Sequence, residues 1–219
     1  MAYAGSADVQ RKGLLWQLGL HRPELRAWAM YDWANSAFVT TIMTAVFPVY
    51  FSKVACKGMA PQTATTYYGV ATTIGLVIIA ALSPILGAYA DFRPIKKRLL
   101  AWFLVMGVIT TTLMFFITAG NWMFAAVLFI LSNIAVNGSF VFYDALLPHV
   151  ARDDEIDRVS TAGYALGYIG GGLLLALNLA WISKPAWFGM SEGTLPARLS
   201  FVSVAVWWLV FSSMPISVP

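Results

Sequence analysis

The chain has 219 residues, 59% of them hydrophobic and 11% charged, with a net charge of +4. That balance excludes an ordinary soluble domain, in which apolar residues make up about half and charged residues about a quarter. The positive charge does not indicate a nucleic-acid partner, because the basic residues collect in short loops between long apolar blocks.

Residues 1–27 contain "GLLWQLGL", which is too short and wrongly flanked for a cleavable signal peptide. They are expected to form a cytoplasmic tail, with a turn of helix on the membrane surface. Six apolar blocks follow at about 28–52, 66–90, 99–119, 122–147, 159–182 and 199–216. Each is near the roughly 20 residues that a spanning helix needs. Strand-like alternation is absent, which argues against a membrane β-barrel. The expected fold class is therefore an all-α polytopic membrane protein, with residues 28–219 forming a six-helix transmembrane domain.

Basic residues fix the expected orientation. Arg11, Lys12, Arg22 and Arg26 precede the first span; Arg93, Lys96, Lys97 and Arg98 follow the second; Arg152 and Arg158 follow the fourth. The positive-inside rule then puts both termini in the cytoplasm. The lone cysteine, Cys56, falls in the first external loop as a neutral loop residue, with no second cysteine in the chain to form a disulfide. The loop "ARDDEIDR" at 151–158 reads as a solvated turn whose acids favour the start of the fifth helix. "SKPAWFGMSEGTLPAR" at 183–198 places Trp187 and Phe188 at the headgroup layer.

Span one opens with "YDWANSAF", an acid, an amide and a hydroxyl at the entrance to lipid. Asp32, Ser36, Thr40 and Thr44 are spaced by four, with Asn35 beside them, and are expected to share one polar face. Span four carries Asn133, Asn137, Ser139 and Asp144. Charged groups in membrane helices face a protein interior or a watery cavity. Asp32, Asn35, Ser36, Thr40, Asn133, Asn137 and Asp144 are thus candidates for a substrate or ion pathway. A structural role stays open: capping for Asp32 or pairing with Arg22, Arg26 or Arg152, and helix-to-helix hydrogen bonding for the two amides. Spans three and six hold scattered Ser and Thr, with Trp207 and Trp208 near the membrane edge, and are expected to face lipid. Division into three plus three spans predicts an inverted repeat.

In span five, "GYALGYIGGG" places Gly163, Gly167 and Gly171 four apart, the pattern for backbone-close helix packing. It is no dinucleotide fingerprint, since no strand precedes it. The "NGS" at 137–139 lies mid-membrane and is rejected as a glycosylation acceptor. His21 and His149 sit at the cytoplasmic edge, with no metal-spaced cluster or nucleophile motif, so neither an enzyme nor a cofactor is expected.

"GAYADFRPIKKRLL" at 87–100 resembles the loop signature of the major facilitator superfamily, with Phe92 and Pro94 replacing its usual basic residue and glycine. The resemblance implies a cytoplasmic latch of Gly87, Asp91, Arg93, Lys96, Lys97 and Arg98 between two halves of a transporter. The glycines of span five resemble a facilitator exporter motif, with Tyr168 where that motif has proline. Together, "YDWANSAF", "VFYDALLPHVA" and "VSTAGYALGYIGGGLLL" resemble the autophagy-related vacuolar amino-acid effluxer family within that superfamily; Asp144 stands where asparagine is expected. The resemblance implies alternating-access transport of a small solute, with amino-acid efflux attached to fungal members. It also implies a coupling proton or ion, although span four has no Lys or Arg. It implies a bacterial plasma membrane, or a vacuolar one if the chain is fungal. Such proteins have about twelve spans, so the chain is expected to be an N-terminal half whose C-terminal six-helix partner is absent. The alternative is a non-transporting six-helix membrane interaction or assembly protein.

Overall fold

The structure is a computed structural model. It describes residues 13–92 and 95–217, with side chains described through 90 and from 95 to 213. Arg11, Lys12 and Arg93 lie outside the described residues. No strand occurs among the described residues. After a single turn at Leu14–Gln17, six helices are long and apolar enough to cross a membrane. They are α1 (Pro23–Ala55), α2 (Pro61–Phe92), α3 (Lys96–Phe116), α4 (Trp122–Val150), α5 (Ile156–Ser183) and α6 (Leu195–Ser217). Each contains one of the apolar blocks or nearly all of it. Most run further at their ends, because polar residues at helix termini continue the turn into the headgroup layer. Pro23 opens α1 at its first position, where a missing N–H costs nothing.

α1 is wound in the wider i→i+5 register over Phe38–Ala45 and again over Phe51–Ala55. Pro48 lies between the two segments; its ring and missing N–H disturb the preceding turn. The Thr44 hydroxyl donates to the Val39 carbonyl at 2.8 Å, five residues back.

Apart from α3 and α4, sequential helices are not the main partners. α1 packs on α5 and α6, α4 packs on α2 and α3, and α3 packs on α6. Exchanging the triplets α1–α3 and α4–α6 maps this set of pairs onto itself. That is what a three-plus-three repeat requires, and three helices per repeat inverts the second copy. Two apolar grooves obey the same exchange. One, about 510 Å³, lies along α3 and includes Leu86, Trp102 and Met106. Its mate, about 500 Å³, lies between α5 and α6 and includes Leu177, Val206 and Val210.

In lipid the apolar effect does not drive helices together, so close packing must. Away from the arginine-bearing end, the one that carries Arg22, Arg26, Arg98, Arg152 and Arg158, aromatic rings from four helices interlock. Phe47 stacks on Phe129 at 5.0 Å and meets Phe201 at 5.8 Å, while Tyr68 lies 4.8 Å from Phe129. At mid-depth Trp208 is fully buried, not at the membrane edge as expected from sequence. A Cβ on Gly107 would sit 2.3 Å from its ring, so α3 meets α6 only because residue 107 has no side chain. Nor are α3 and α6 the most exposed helices. α2 and α5 are, because each buries only one stripe against a helix of the other triplet.

The loop 151–158 is more than a solvated turn. Glu155 is only 4% exposed. It accepts a hydrogen bond from the Arg152 backbone N–H at 3.0 Å and one from the Arg22 guanidinium, with His21 Nε2 3.9 Å away. Arg22 also donates to the Val150 carbonyl at 2.8 Å. Arg22 is therefore held by Glu155, not by Asp32. This clamp fixes the start of α1 to the α4–α5 loop.

Two measurements check these features. Burial raises the Glu155 carboxyl, but the Arg152 N–H, the Arg22 charge and hydrogen bond, and His21 outweigh it and hold the group below its ordinary 4.5. A depressed value means the clamp is complete above pH 4.5 and lost as pH falls through the lower folded value. Glu155→Gln should cost about 1.5–3 kcal/mol at neutral pH and flatten the acid loss of thermal stability. A variant as stable as the parent, with the same acid profile, would count against the clamp. Cys56, in the loop after α1, is only 1% exposed, and burial raises its thiol. In the native protein it should react far more slowly with a maleimide than a cysteine placed at the exposed Lys57. Equal rates would contradict this packing.

Candidate functional site

The polar residues of α1 divide between two faces. Tyr31, Asn35, Phe38 and Ile42 share one sector at helical spacing, and all are fully buried. Asp32, Ser36 and Thr40 lie on a second sector, against α5. Asn35 therefore points into the bundle, away from the Asp32 face that the sequence spacing assigned to it.

The second face exists because α5 offers glycine. A Cβ on Gly167 would lie 2.0 Å from Asp32 Oδ2 and 2.7 Å from Ser36 Oγ. One on Gly171 would lie 2.8 Å from the Ser36 carbonyl oxygen. Thr40 Oγ1 is 3.1 Å from the Gly171 carbonyl and equally close to that of Ser36. Gly163 takes the edge of Trp28, at 2.6 Å from the same construction. Gly170, which the four-residue spacing missed, takes Trp33 in the same way. Its signal was the Gly170-Gly171 doublet, which widens the contact face by one residue.

Asp32 is 5% exposed, and no hydrogen bond or ion pair is found for it among the described residues. Asp144 on α4 is exposed and lies near enough for the two charges to act on each other. Around them stand Trp28, Tyr143 and Tyr164. Trp28 stacks on Tyr143 at 4.4 Å, donates from Nε1 to the Tyr143 carbonyl at 3.0 Å, and meets Tyr164 edge-on at 6.3 Å. Tyr164 and Tyr168 are 47% and 80% exposed on α5. The two tyrosines were not chosen from the sequence as site residues. The result is a carboxylate pair walled by aromatic rings at the arginine-bearing end, opening onto a face that continues through Ser36, Thr40 and Thr44. Chemically it can hold a proton, a cation or an amine, and it offers no nucleophile held by a base.

The remaining candidates fall elsewhere. Asn133 is fully buried against Gly75 of α2, and its Oδ1 accepts from Asn137 Nδ2 at 2.7 Å. Asn137 also donates to the Asn133 carbonyl at 2.9 Å. These two amides join each other and lie apart from Asp32. A Cβ on Gly87 would meet nothing within 4 Å, so no described helix uses that glycine for close approach. Asp91 lies in the last turn of α2, with its side chain outside the described set, as is all of Arg93. Lys96 and Lys97 are half-buried in the first turn of α3, and Arg98 is exposed. A link missed by sequence reading joins three helices: Asn178 Nδ2 approaches Thr41 Oγ1 at 3.4 Å, and Ser203 Oγ donates to Asn178 Oδ1 at 2.9 Å.

The family model described as "Vacuole effluxer Atg22 like" matches residues 58–218. The chain is 35% identical over 193 residues to the "Uncharacterized MFS-type transporter YxiO" of Bacillus subtilis (strain 168), covering 85% of this chain and 44% of that protein. It is 23% identical over 176 residues to "Autophagy-related protein 22" of Coccidioides immitis (strain RS), covering 61% of this chain and 29% of that protein. The chain thus spans less than half the length of these curated relatives. No solved structure matches it.

Three alanine substitutions on α5 test the α1 contact. Gly171→Ala drives a methyl into the α1 backbone, which cannot rotate away, and should cost about 1–3 kcal/mol. Gly167→Ala presses on side-chain oxygens that can turn aside, so it should cost less. Gly172→Ala meets nothing within 4 Å and should be neutral or stabilising by up to ~1 kcal/mol. Thermal unfolding in detergent ranks them, and equal losses at 171 and 172 would refute the packing.

Proposed function

The chain belongs to the vacuole effluxer Atg22-like family, and on that premise we propose that it is one half of a major facilitator permease that moves a small solute by alternating access. The observation that carries this reading is Asp32. It is an acid inside a spanning helix, buried without an ionic partner among the described residues, beside Asp144, and on a polar face formed by α1, α4 and α5. Such groups in a membrane mark a substrate or ion route. Asp32, Ser36, Thr40 and Asp144 are the pathway residues, with Tyr164 added from the geometry. Asn35, Asn133 and Asn137 serve the interior of the half. The whole path needs a second six-helix unit opposite this face, and the family's length supports one. Gly87, with open space around it, and the Asp91–Arg98 segment would latch to that unit.

The three basic loops support an N-terminus in the cytoplasm, and the short loops support a bacterial plasma membrane. Amino acids are the first solutes to test, in the efflux direction, with a proton or another ion as the coupling species.

The test is flux into vesicles containing this chain together with a second six-helix half, compared with vesicles containing the chain alone. Asp32→Asn keeps shape and removes charge. Coupled flux should fall at least about tenfold, the effect of losing about 1.4 kcal/mol of selective stabilisation. Expression and elution profile should stay normal. Normal transport by the variant across a range of pH would exclude Asp32 as a substrate or coupling group. Misfolding would assign it to the α1–α5 contact instead.

A further inference from the structure

Five buried polar groups on three helices have no hydrogen-bond partner among the described residues. They are the Tyr31 hydroxyl and both amide atoms of Asn35 on α1, the Tyr143 hydroxyl on α4, and Trp208 Nε1 and Ser212 Oγ on α6. All five residues are buried. They are also neighbours. The rings of Tyr31 and Tyr143 are 5.1 Å apart, and the Tyr31 hydroxyl faces Ser139 and Trp208 without a well-directed bond to either. Phe38 lies 5.7 Å from Trp208, and Asn35 sits between Tyr31 and Phe38 on the same face of α1. Ser212 follows Trp208 by one turn. Ser139 Oγ gives its proton to the Val136 carbonyl at 2.7 Å and keeps lone pairs to accept.

A buried amide with neither end bonded is among the most costly arrangements in a protein interior. Apolar packing does not relieve it, and the chemistry of the set narrows what does. The indole N–H only donates, which disfavours a metal cation. Asp32 and Asp144 act on the Tyr143 hydroxyl, which disfavours an anion. Hydroxyls and an amide offer both donors and acceptors, and water matches both, making about three hydrogen bonds per buried molecule. We propose that the junction of α1, α4 and α6 holds one or more internal water molecules, bonded to Tyr31, Asn35 and Trp208. The site belongs to this chain alone and does not depend on the transport reading.

Radiolytic footprinting reads such a site directly. Hydroxyl radicals made at a bound water oxidise the adjacent ring, even where bulk solvent has no access. The chain in lipid nanodiscs would be pulsed with X-rays in ¹⁸O-labelled water, and oxidation of each residue scaled to the unfolded chain. Tyr31 and Trp208 should be oxidised several-fold more than Tyr50. That tyrosine is also buried, but its hydroxyl already donates to the Ile117 carbonyl at 2.8 Å. Asn35→Leu fills the site with hydrocarbon and should bring both residues down to the Tyr50 level. If that variant does not fold, Tyr31→Phe removes one oxygen and should lower labelling of Trp208. Native Tyr31 and Trp208 no more oxidised than Tyr50 would mean the groups pair among themselves. Labelling unchanged by the folded variants would place the water elsewhere. Either outcome overturns the proposal.

Discussion

Where α1 crosses α5, glycine is the only residue that lets a carboxylate, a hydroxyl and two indoles of one helix enter the surface of the other. A Cβ at 163, 167, 170 or 171 would collide with Trp28, Asp32, Trp33 or the Ser36 backbone. In water a mismatch of this kind is partly offset by burying apolar area, but in lipid the tails are as apolar as the helix. Contact geometry therefore carries the association. The same contact shields Asp32 from lipid, so packing and the proposed pathway use the same surface. The Arg22–Glu155 clamp holds this pair at the arginine-bearing end, where α1 would otherwise be tied to α5 by packing alone.

The triplet exchange extends this logic to the second repeat. α4 meets α2 as α1 meets α5, and there too a glycine, Gly75, takes a polar side chain, Asn133. The chemistry of the two contacts differs. Asp32 lies near a second acid and aromatic rings, whereas Asn133 is closed off by Asn137. A repeated backbone arrangement thus carries a charged group in one copy and a self-satisfied amide pair in the other. Only the first resembles a place where something binds.

The spans were legible because roughly 20 apolar residues between basic loops have few other solutions. The glycine ladder was legible because small residues four apart in lipid have one common use. The division of the α1 polar residues was not. Asn35 and Asp32 are three residues apart, about 60° around the helix, and spacing alone does not say that a helix boundary passes between them. Trp208 was misplaced for a similar reason. A tryptophan near a span end usually marks the headgroup layer, and only the partner glycine at 107 on another helix makes room for it inside. Glu155 sat in a run of acids that reads as solvated, and what buries it is a segment more than a hundred residues earlier.

The exterior of the bundle is chemically uneven, and the unevenness limits what can surround it. The grooves along α3 and between α5 and α6 are lined almost wholly by Leu, Val, Met, Phe and Trp, and suit acyl chains. Across α1, α4 and α5 the surface instead shows Thr44, Asp144, Tyr164 and Tyr168, with Ser36 and Thr40 half-buried among them. Hydroxyls on helices can return their protons to their own carbonyls, as Thr40 and Thr44 do. A carboxylate has no such recourse, and Asp144 has no ionic partner among the described residues. At bilayer depth that face is stable only against water or another protein. The position of the acid pair near the arginine-bearing end makes a watery opening there less costly than one at mid-membrane.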